Sequence, residues 1–324
     1  MKTVLVTGSN GYVGQVVAGM LRGRGVSVTG LGTRGADMPD YIAADISDHD
    51  GLMGKLKGRG FDAIIHAASL ANDTGDPRQM VSVNIVGLQN VLEFARMNEG
   101  TRVVIASSLS ALEWYPATRF EPPKYLPVDE KHPANPKNIY SSTKLMQEIL
   151  GLTYYHQYKV PVSCVRLTAV VGPNGQGGGS GYREIAKAMK GGRSVQVPHF
   201  SAEDTCHYVD IRDAARLLIE CAENPAADGE VFNCCGADAM TSGADFEAIM
   251  KKLVPGIEVE FNFPWSMAQG GVVYFSMEKA KRVLGYEPVY TLEDSLASIK
   301  EWYEAGGLEA TEERAGIREG VVKN

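Results

Sequence analysis

Tyr140 and Lys144 stand four residues apart in the run Tyr140-Ser141-Ser142-Thr143-Lys144, which carries helical spacing, so a phenol and an ammonium fall on one face. That pairing can move a proton. An unperturbed tyrosine, with a pKa of about 10, is a poor base at neutral pH, but an adjacent ammonium favours the phenolate. Upstream, Ser107 and Ser108 close a β-branched run that begins at Arg102, and Ser110 follows closely. A hydroxyl at the end of such a strand is placed to hydrogen-bond a reacting oxygen beside the phenol. At this level Ser107, Ser108 and Ser110 all fit, as does a buried serine bonded only to backbone.

A second constellation lies at the start of the chain, where Thr7-Gly8-Ser9-Asn10-Gly11-Tyr12-Val13-Gly14 follows a strand pattern and opens a helical one. Glycines there allow a tight turn, close approach of backbone to a pyrophosphate and tight helix packing, while the helix N-terminus offers unpaired N–H groups. The expected ligand is a dinucleotide. A carboxylate that grips the adenosine ribose 2′-OH is expected about 20 residues further on, at the end of the second strand. That position reads as Gly32, followed by Thr33-Arg34. No carboxylate then repels a 2′-phosphate, and a guanidinium can bind one, so NADP is favoured over NAD. Arg34 as a solvated loop charge is the alternative.

These groups need a scaffold, and the chain supplies its rhythm. Thr3–Val6, Val26–Leu31, Ala63–His66, Arg102–Ser107 and Val162–Leu167 read as strands. Gly14–Arg22, Val83–Arg96 and about Tyr140–Tyr158 read as helices between them. The fold class is α/β, a doubly wound parallel sheet of the Rossmann type with a smaller C-terminal substrate lobe. Its ligand crevice is expected at the carboxyl ends of the strands, where strand order reverses. After Leu167 the stretch Gly172–Gly181 cannot hold regular structure cheaply and leads into the second lobe. The chain revisits the first domain at Tyr208–Cys221 and Val231–Cys234. The expected division is therefore 1–172 plus about 206–236 for the dinucleotide-binding domain, and about 173–205 plus 237–324 for the substrate lobe. No internal repeat is visible, and the polar tail after about Gly306 is expected to be loosely ordered.

Composition narrows the partners. A chain of 324 residues with a formal net charge of -7 and no long basic run offers no dedicated surface for nucleic acid or anionic membrane, so a small molecule is expected. Apolar runs fall far short of the roughly 20 residues needed to span a bilayer. Met1–Thr7 reads as a strand rather than a secretion signal. Five cysteines without paired C-x-x-C spacing indicate neither a disulfide framework nor structural zinc, and a reducing cytoplasm is expected. Vicinal Cys234-Cys235 reads as two small buried hydrophobes rather than a redox pair.

The spacing Gly8-x-x-Gly11-x-x-Gly14 after a threonine resembles the extended short-chain dehydrogenase/reductase family of epimerases, dehydratases and dehydrogenases. The likeness repeats in Phe61-Asp62-Ala63-Ile64-Ile65-His66-Ala67-Ala68, in Asn84 with Gly87, in Arg166 through Gly172-Pro173, and in Tyr140-x-x-x-Lys144 with Glu148 four residues on. It runs from Lys2 to about Tyr303. The resemblance implies an NAD(P)-dependent enzyme with Ser108, Tyr140 and Lys144 as catalytic residues, Lys144 also holding the nicotinamide ribose. It selects Ser108 from the three serines. It places Asp45 and Ile46 at the adenine, and Ala67, Ala68 and Ser69 along the path to the nicotinamide ribose. Gly8, Asn10, Gly11, Tyr12, Val13, Gly14, Thr33, Arg34, Asn84, Ala106, Leu167 and Val170 complete the expected cofactor contacts with Tyr140 and Lys144. The substrate side is expected from Ser69, Ser108, Leu109, Tyr140, Ala169 and His199. The helices near Asn84–Arg96 and Tyr140–Tyr158 imply a homodimer through a helix bundle, with Leu145, Ile149, Leu152 and Tyr155 as its apolar stripe. A buried intramolecular face has the same stripe.

The chain also departs from the family pattern. Where several members clamp a sugar diphosphate with arginine, this chain has Cys206, and Pro255–Phe275 contains neither arginine nor lysine. The asparagine often found after the sixth strand is Ala169, and the residue after Ser108 is Leu109, without the acid and base of sugar dehydratases. Little capacity for a diphosphate remains. The leading expectation is hydride transfer between a nicotinamide cofactor and a small hydroxy or oxo compound, not nucleotide-linked. An NAD-dependent sugar epimerase is the alternative, and a non-catalytic dinucleotide sensor the third reading. The segments Leu109–Tyr125, Asn174–Tyr182, His199–Cys206 and Phe261–Phe275 are expected to shape the pocket. His199 and His207 read as polar lining; no third ligand stands at metal spacing.

Overall fold

Strands that read as unbroken apolar runs belong in a sheet covered on both faces, and the computed structural model pairs seven of them in parallel. They are β1 (Thr3–Thr7), β2 (Ser27–Gly32), β3 (Tyr41–Ala43), β4 (Ala63–His66), β5 (Arg102–Ser108), β6 (Val162–Leu167) and β7 (Val231–Cys234), in the spatial order β7-β6-β5-β4-β1-β2-β3. The structure describes residues 1–33, 40–71, 76–112, 124–173, 185–189, 194–197, 199, 201–238, 241–261 and 274–307. From β1 the chain winds outward to β2 and β3, then returns to β4 and winds the other way. The switch point is the crevice between β1 and β4.

Side-chain alternation divides the core. Val4 and Val6 face one layer with Val17, Ala18 and Leu21 of α1 (Tyr12–Gly23). Leu5 faces the other, with Leu52 and Leu56 of α2 (His49–Leu56) and Leu88 and Leu92 of α3 (Gly87–Met97). Tyr140 and Lys144 lie on α4 (Ile139–Tyr158), whose N-terminus is capped by Asn138, the side chain accepting from Ser141 N at 2.8 Å. Tyr155 turns inward against Gly229, so of the expected apolar stripe it belongs to the core, whereas Ile149 is 58% exposed.

The single helix expected over Val83–Arg96 is instead a short helix Pro77–Val81, a π-helical turn Ser82–Val86, and α3. The wider turn leaves the Asn84 carbonyl to accept from Gln147 Nε2 of α4 at 2.7 Å. Periodicity alone does not reveal such a turn.

The expected return to the sheet is present: α5 (Ile211–Glu223) packs on α1, and β7 pairs with β6 through Val231 and Cys164. Tyr208–Asp210 pairs instead with Ala169–Val171, outside the main sheet. A further core gathers around Tyr208, Phe246, Met250, Leu292, Leu296 and Ile299. Asp213 anchors the approach to its last helix by accepting from Val289 N and Tyr290 N, both at 2.9 Å. No helix among the described residues is long and apolar enough to cross a membrane. The expected loosely ordered tail lies outside the described residues beyond Gly307, as do 174–182 of the glycine-rich stretch.

Candidate active site

β1 delivers the chain to the glycine turn. Gly8 has φ +67°, donates its N–H to Leu31 O at 2.7 Å, and sits so close to β4's exit that a Cβ would lie 2.7 Å from Ala68 N. A Cβ on Gly14 would overlap Gly8 O. Gly11 stands at the N-cap of α1 and supplies no side-chain cap, an arrangement that suits a phosphate at the helix start. Ser9 Oγ is buried there with no partner among the described residues. A cradle closed to any Cβ, an uncapped helix start and an orphaned hydroxyl together fit a dinucleotide's phosphates. Around it, Asn10 Nδ2 donates to Tyr41 OH at 3.1 Å, Tyr12 OH donates to Gly172 O at 2.9 Å, and Val13 packs on the core.

At the adenosine end, Gly32 does end β2 beside the glycine turn, and Thr33 is exposed. Arg34, on which the preference for NADP leaned, lies outside the described residues. Asp45 is exposed and accepts from Ser47 N and Oγ; Ile46 is buried, packed against Gly87.

The residues expected to move protons stand where β5 ends against α4. Lys144 is 4% exposed, donates from Nζ to Ala106 O at 2.8 Å, and lies 5.8 Å from the Tyr140 ring centroid. Burial pulls its pKa down to about 8, with the Glu148 carboxylate opposing the fall. Tyr140 is half-buried. The two strand-end serines point different ways: Ser107 is buried and donates to Glu148 Oε1 at 2.6 Å, while Ser108 is half-buried on the opposite side, accepting from Ser110 N at 3.2 Å. Strand alternation thus puts Ser107 on the face of β5 that packs against α4, and Ser108 on the other, at the strand's carboxyl end. Leu167 at the end of β6 and Val170 beyond it pack into the core beside this edge.

Asn84 ties the neighbourhood together. Its carboxamide accepts from Leu70 N at 2.8 Å and Ser69 Oγ at 3.2 Å, and donates to Leu70 O at 3.1 Å and Thr143 Oγ1 at 3.0 Å. The β4 exit (Ala67, Ala68, Ser69) is thereby fixed to the helix bearing Tyr140 and Lys144.

Two features beneath the site were not assigned roles from sequence. Arg166 of β6 forms a two-pronged ion pair with Glu148, Nη2 to Oε2 at 2.7 Å and Nε to Oε1 at 3.0 Å, and Arg166 Nη1 reaches Glu130 O at 3.2 Å. His66 at the end of β4 bonds Thr7 Oγ1 through Nδ1 at 3.0 Å, and its pKa falls to about 3 through burial, then the charge of Lys144. Only the resemblance marked Glu148 and Arg166; no local pattern joins them.

On the substrate side, Leu109 is buried with Leu112, Val128 and Cys235, and Ala169 belongs to the further core. His199 corrects an expectation: it has no exposed surface, packs edge-on to Phe246 at 5.4 Å and lies 3.4 Å from both Tyr208 OH and Thr241 O. It is a core residue, not pocket lining. His207 is stacked on Tyr274 at 5.8 Å. Residues 113–123 and 262–273 of the expected pocket segments lie outside the described residues. The five cysteines are free and buried.

Burial lowers the pKa of His199 and His207 to about 4 and of His66 to about 3. Between those values and the ordinary 6.5, the unfolded chain binds protons that the fold refuses, so stability is present above pH 6.5 and lost as pH falls toward 4. Thermal unfolding is expected to show Tm dropping steadily across that window, and a Tm flat from pH 7 to 4.5 would contradict it.

Fold and site together define a dinucleotide-binding α/β enzyme of the extended short-chain dehydrogenase/reductase type. The chain belongs to the NAD dependent epimerase/dehydratase family, whose profile matches residues 4–235. It is 28% identical over 319 residues to UDP-glucose 4-epimerase of Mycolicibacterium smegmatis, covering 92% of this chain and 97% of that protein. Its fold matches UDP-glucose 4-epimerase of Thermotoga maritima, solved with UDP-glucose, at a TM-score of 0.81 and 20% identity, covering 94% of this chain and 99% of the other. UDP-glucuronic acid 4-epimerase of Bacillus cereus, solved with UDP-glucuronic acid and NAD, matches at 0.76 and 22% identity, covering 94% and 99%.

Proposed function

We propose that this protein is an NAD-dependent epimerase of a nucleotide-linked sugar. The observation that carries the reading is its similarity to a UDP-glucose 4-epimerase along nearly the whole of both chains, at 28% identity. That likeness favours the sugar-epimerase alternative and leaves the expectation of a substrate without a nucleotide unsupported. NAD rather than NADP is the proposed cofactor, since a related fold is solved with NAD. It would lie against Gly8, Gly11 and Gly14, with its ribose at Lys144, and supplies a reversible hydride acceptor. The chain's own groups do the rest: Tyr140 takes and returns the proton of the sugar hydroxyl, Lys144 favours the phenolate, and Ser108 hydrogen-bonds the same oxygen.

A small-molecule dehydrogenase is the second reading, favoured by one observation: Cys206, at the position matched to a diphosphate-binding arginine, is a buried thiol whose pKa is pushed up to about 12 by burial. It is uncharged. Incubation with UDP-glucose, UDP-galactose and UDP-glucuronate, with released nucleotide analysed, separates the two. Interconversion of C4 epimers with retained NAD supports the first reading. Stoichiometric NADH from small hydroxy compounds without UDP-sugar turnover supports the second.

We also propose a homodimer through α4 and the segment before α3, where Val81, Val86, Met146 and Ile149 are 39%, 39%, 45% and 58% exposed. Ile149→Asp is expected to give monomers by sedimentation; an unchanged mass would count against that face.

A further inference from the structure

The end of β2 lacks a ribose-gripping carboxylate, but the space that side chain would enter is filled. A Cβ built on Gly32 would stand 2.7 Å from Tyr41 OH. Tyr41 opens β3, which pairs with β2 in the register Gly30 to Tyr41 and Gly32 to Ala43, so its phenol reaches along the sheet edge to the carboxyl end of β2. There Asn10 of the glycine turn donates to the phenol oxygen at 3.1 Å. Accepting from Asn10 commits a lone pair of that oxygen and leaves its O–H to donate elsewhere. Gly8 N bonds Leu31 O at 2.7 Å, so the phenol, the turn and the end of β2 form one rigid corner.

We propose that Tyr41, oriented by Asn10 and seated over Gly32, is the specificity-determining group that reads the adenosine ribose 2′ position of the bound dinucleotide. This rests on the cofactor reading above. Where a carboxylate would accept from a 2′-hydroxyl and repel a 2′-phosphate, a phenol donates to either and repels neither. Gly32 is then required because any larger residue displaces the phenol. Burial raises the Tyr41 pKa, which keeps the donor proton in place at neutral pH.

Calorimetry on the full chain, freed of retained nucleotide, tests this with NAD, its 2′-deoxyadenosine counterpart and NADP. Wild type is expected to bind NAD roughly fivefold more tightly than the deoxy compound, the size of one hydrogen bond, and NADP within about tenfold of NAD. In Tyr41→Phe the preference for NAD over the deoxy compound disappears. In Gly32→Ala, which keeps the phenol but pushes it aside, the preference disappears as well. If Tyr41→Phe weakens both compounds equally or leaves the preference intact, the inference is wrong while the cofactor reading stands. Exclusion of NADP by about a hundredfold or more also overturns it. If no dinucleotide binds the wild type, the cofactor reading falls and takes this inference with it.

Discussion

Tyr140→Phe is expected to lower turnover roughly 10²- to 10⁴-fold while leaving Tm and dinucleotide affinity close to those of the wild type. The variant keeps the ring that stands 5.8 Å from Lys144 Nζ and removes only the hydroxyl. Turnover and calorimetric affinity, measured side by side, check it; activity within about threefold of wild type would remove Tyr140 from the proton-transfer role. The same geometry gives the pH dependence a direction. The ammonium of Lys144 favours the phenolate only while protonated, and its pKa is lowered to about 8 by burial. Activity is therefore expected to fall as pH rises through about 8, well below the range of an exposed lysine.

What the sequence showed and hid follows the range of the interactions. The glycine turn and the Tyr140–Lys144 pair are local: their geometry is set within one turn of chain, so residue type and spacing reveal them. The sheet was legible because strands covered on both faces read as unbroken apolar runs, as in Val103 to Ile105. Contacts across the sheet were not. Arg166 meets Glu148 only because β6 and α4 pack side by side, and Tyr41 reaches Asn10 only through the pairing of β2 with β3. The π-helical turn at Ser82–Val86 breaks no apolar periodicity, so nothing in the pattern marks it. His199 read as lining because it flanks the second lobe's approach to the site in sequence, yet it packs between Tyr208 and Phe246. The substrate reading leaned on equally narrow ground: missing arginines report lost cations at particular positions and do not exclude a nucleotide held by other groups of the lobe.

The largest stability effect is expected at Arg166→Met. Arg166 and Glu148 are 7% and 3% exposed, and the guanidinium makes three bonds to the carboxylate. Removing the cation strands a carboxylate buried beside Ser107, with Lys144 as its remaining counter-charge among the described residues, at a cost of about 3–5 kcal/mol. The double variant Glu148→Gln with Arg166→Met removes both charges and is expected to recover much of that loss, since a buried pair contributes less as a pair than either half costs when stranded. Urea unfolding of both single variants and the double checks this; additive losses would show that the two side chains act independently. Catalysis supplies a second readout. The carboxylate opposes the fall in the Lys144 pKa, so Glu148→Gln lowers that pKa further and moves the alkaline limb of the activity profile toward lower pH. A purely structural pair would change the amount of folded enzyme and leave the midpoint of that limb in place, whereas a pair that also holds the charge on Lys144 moves it.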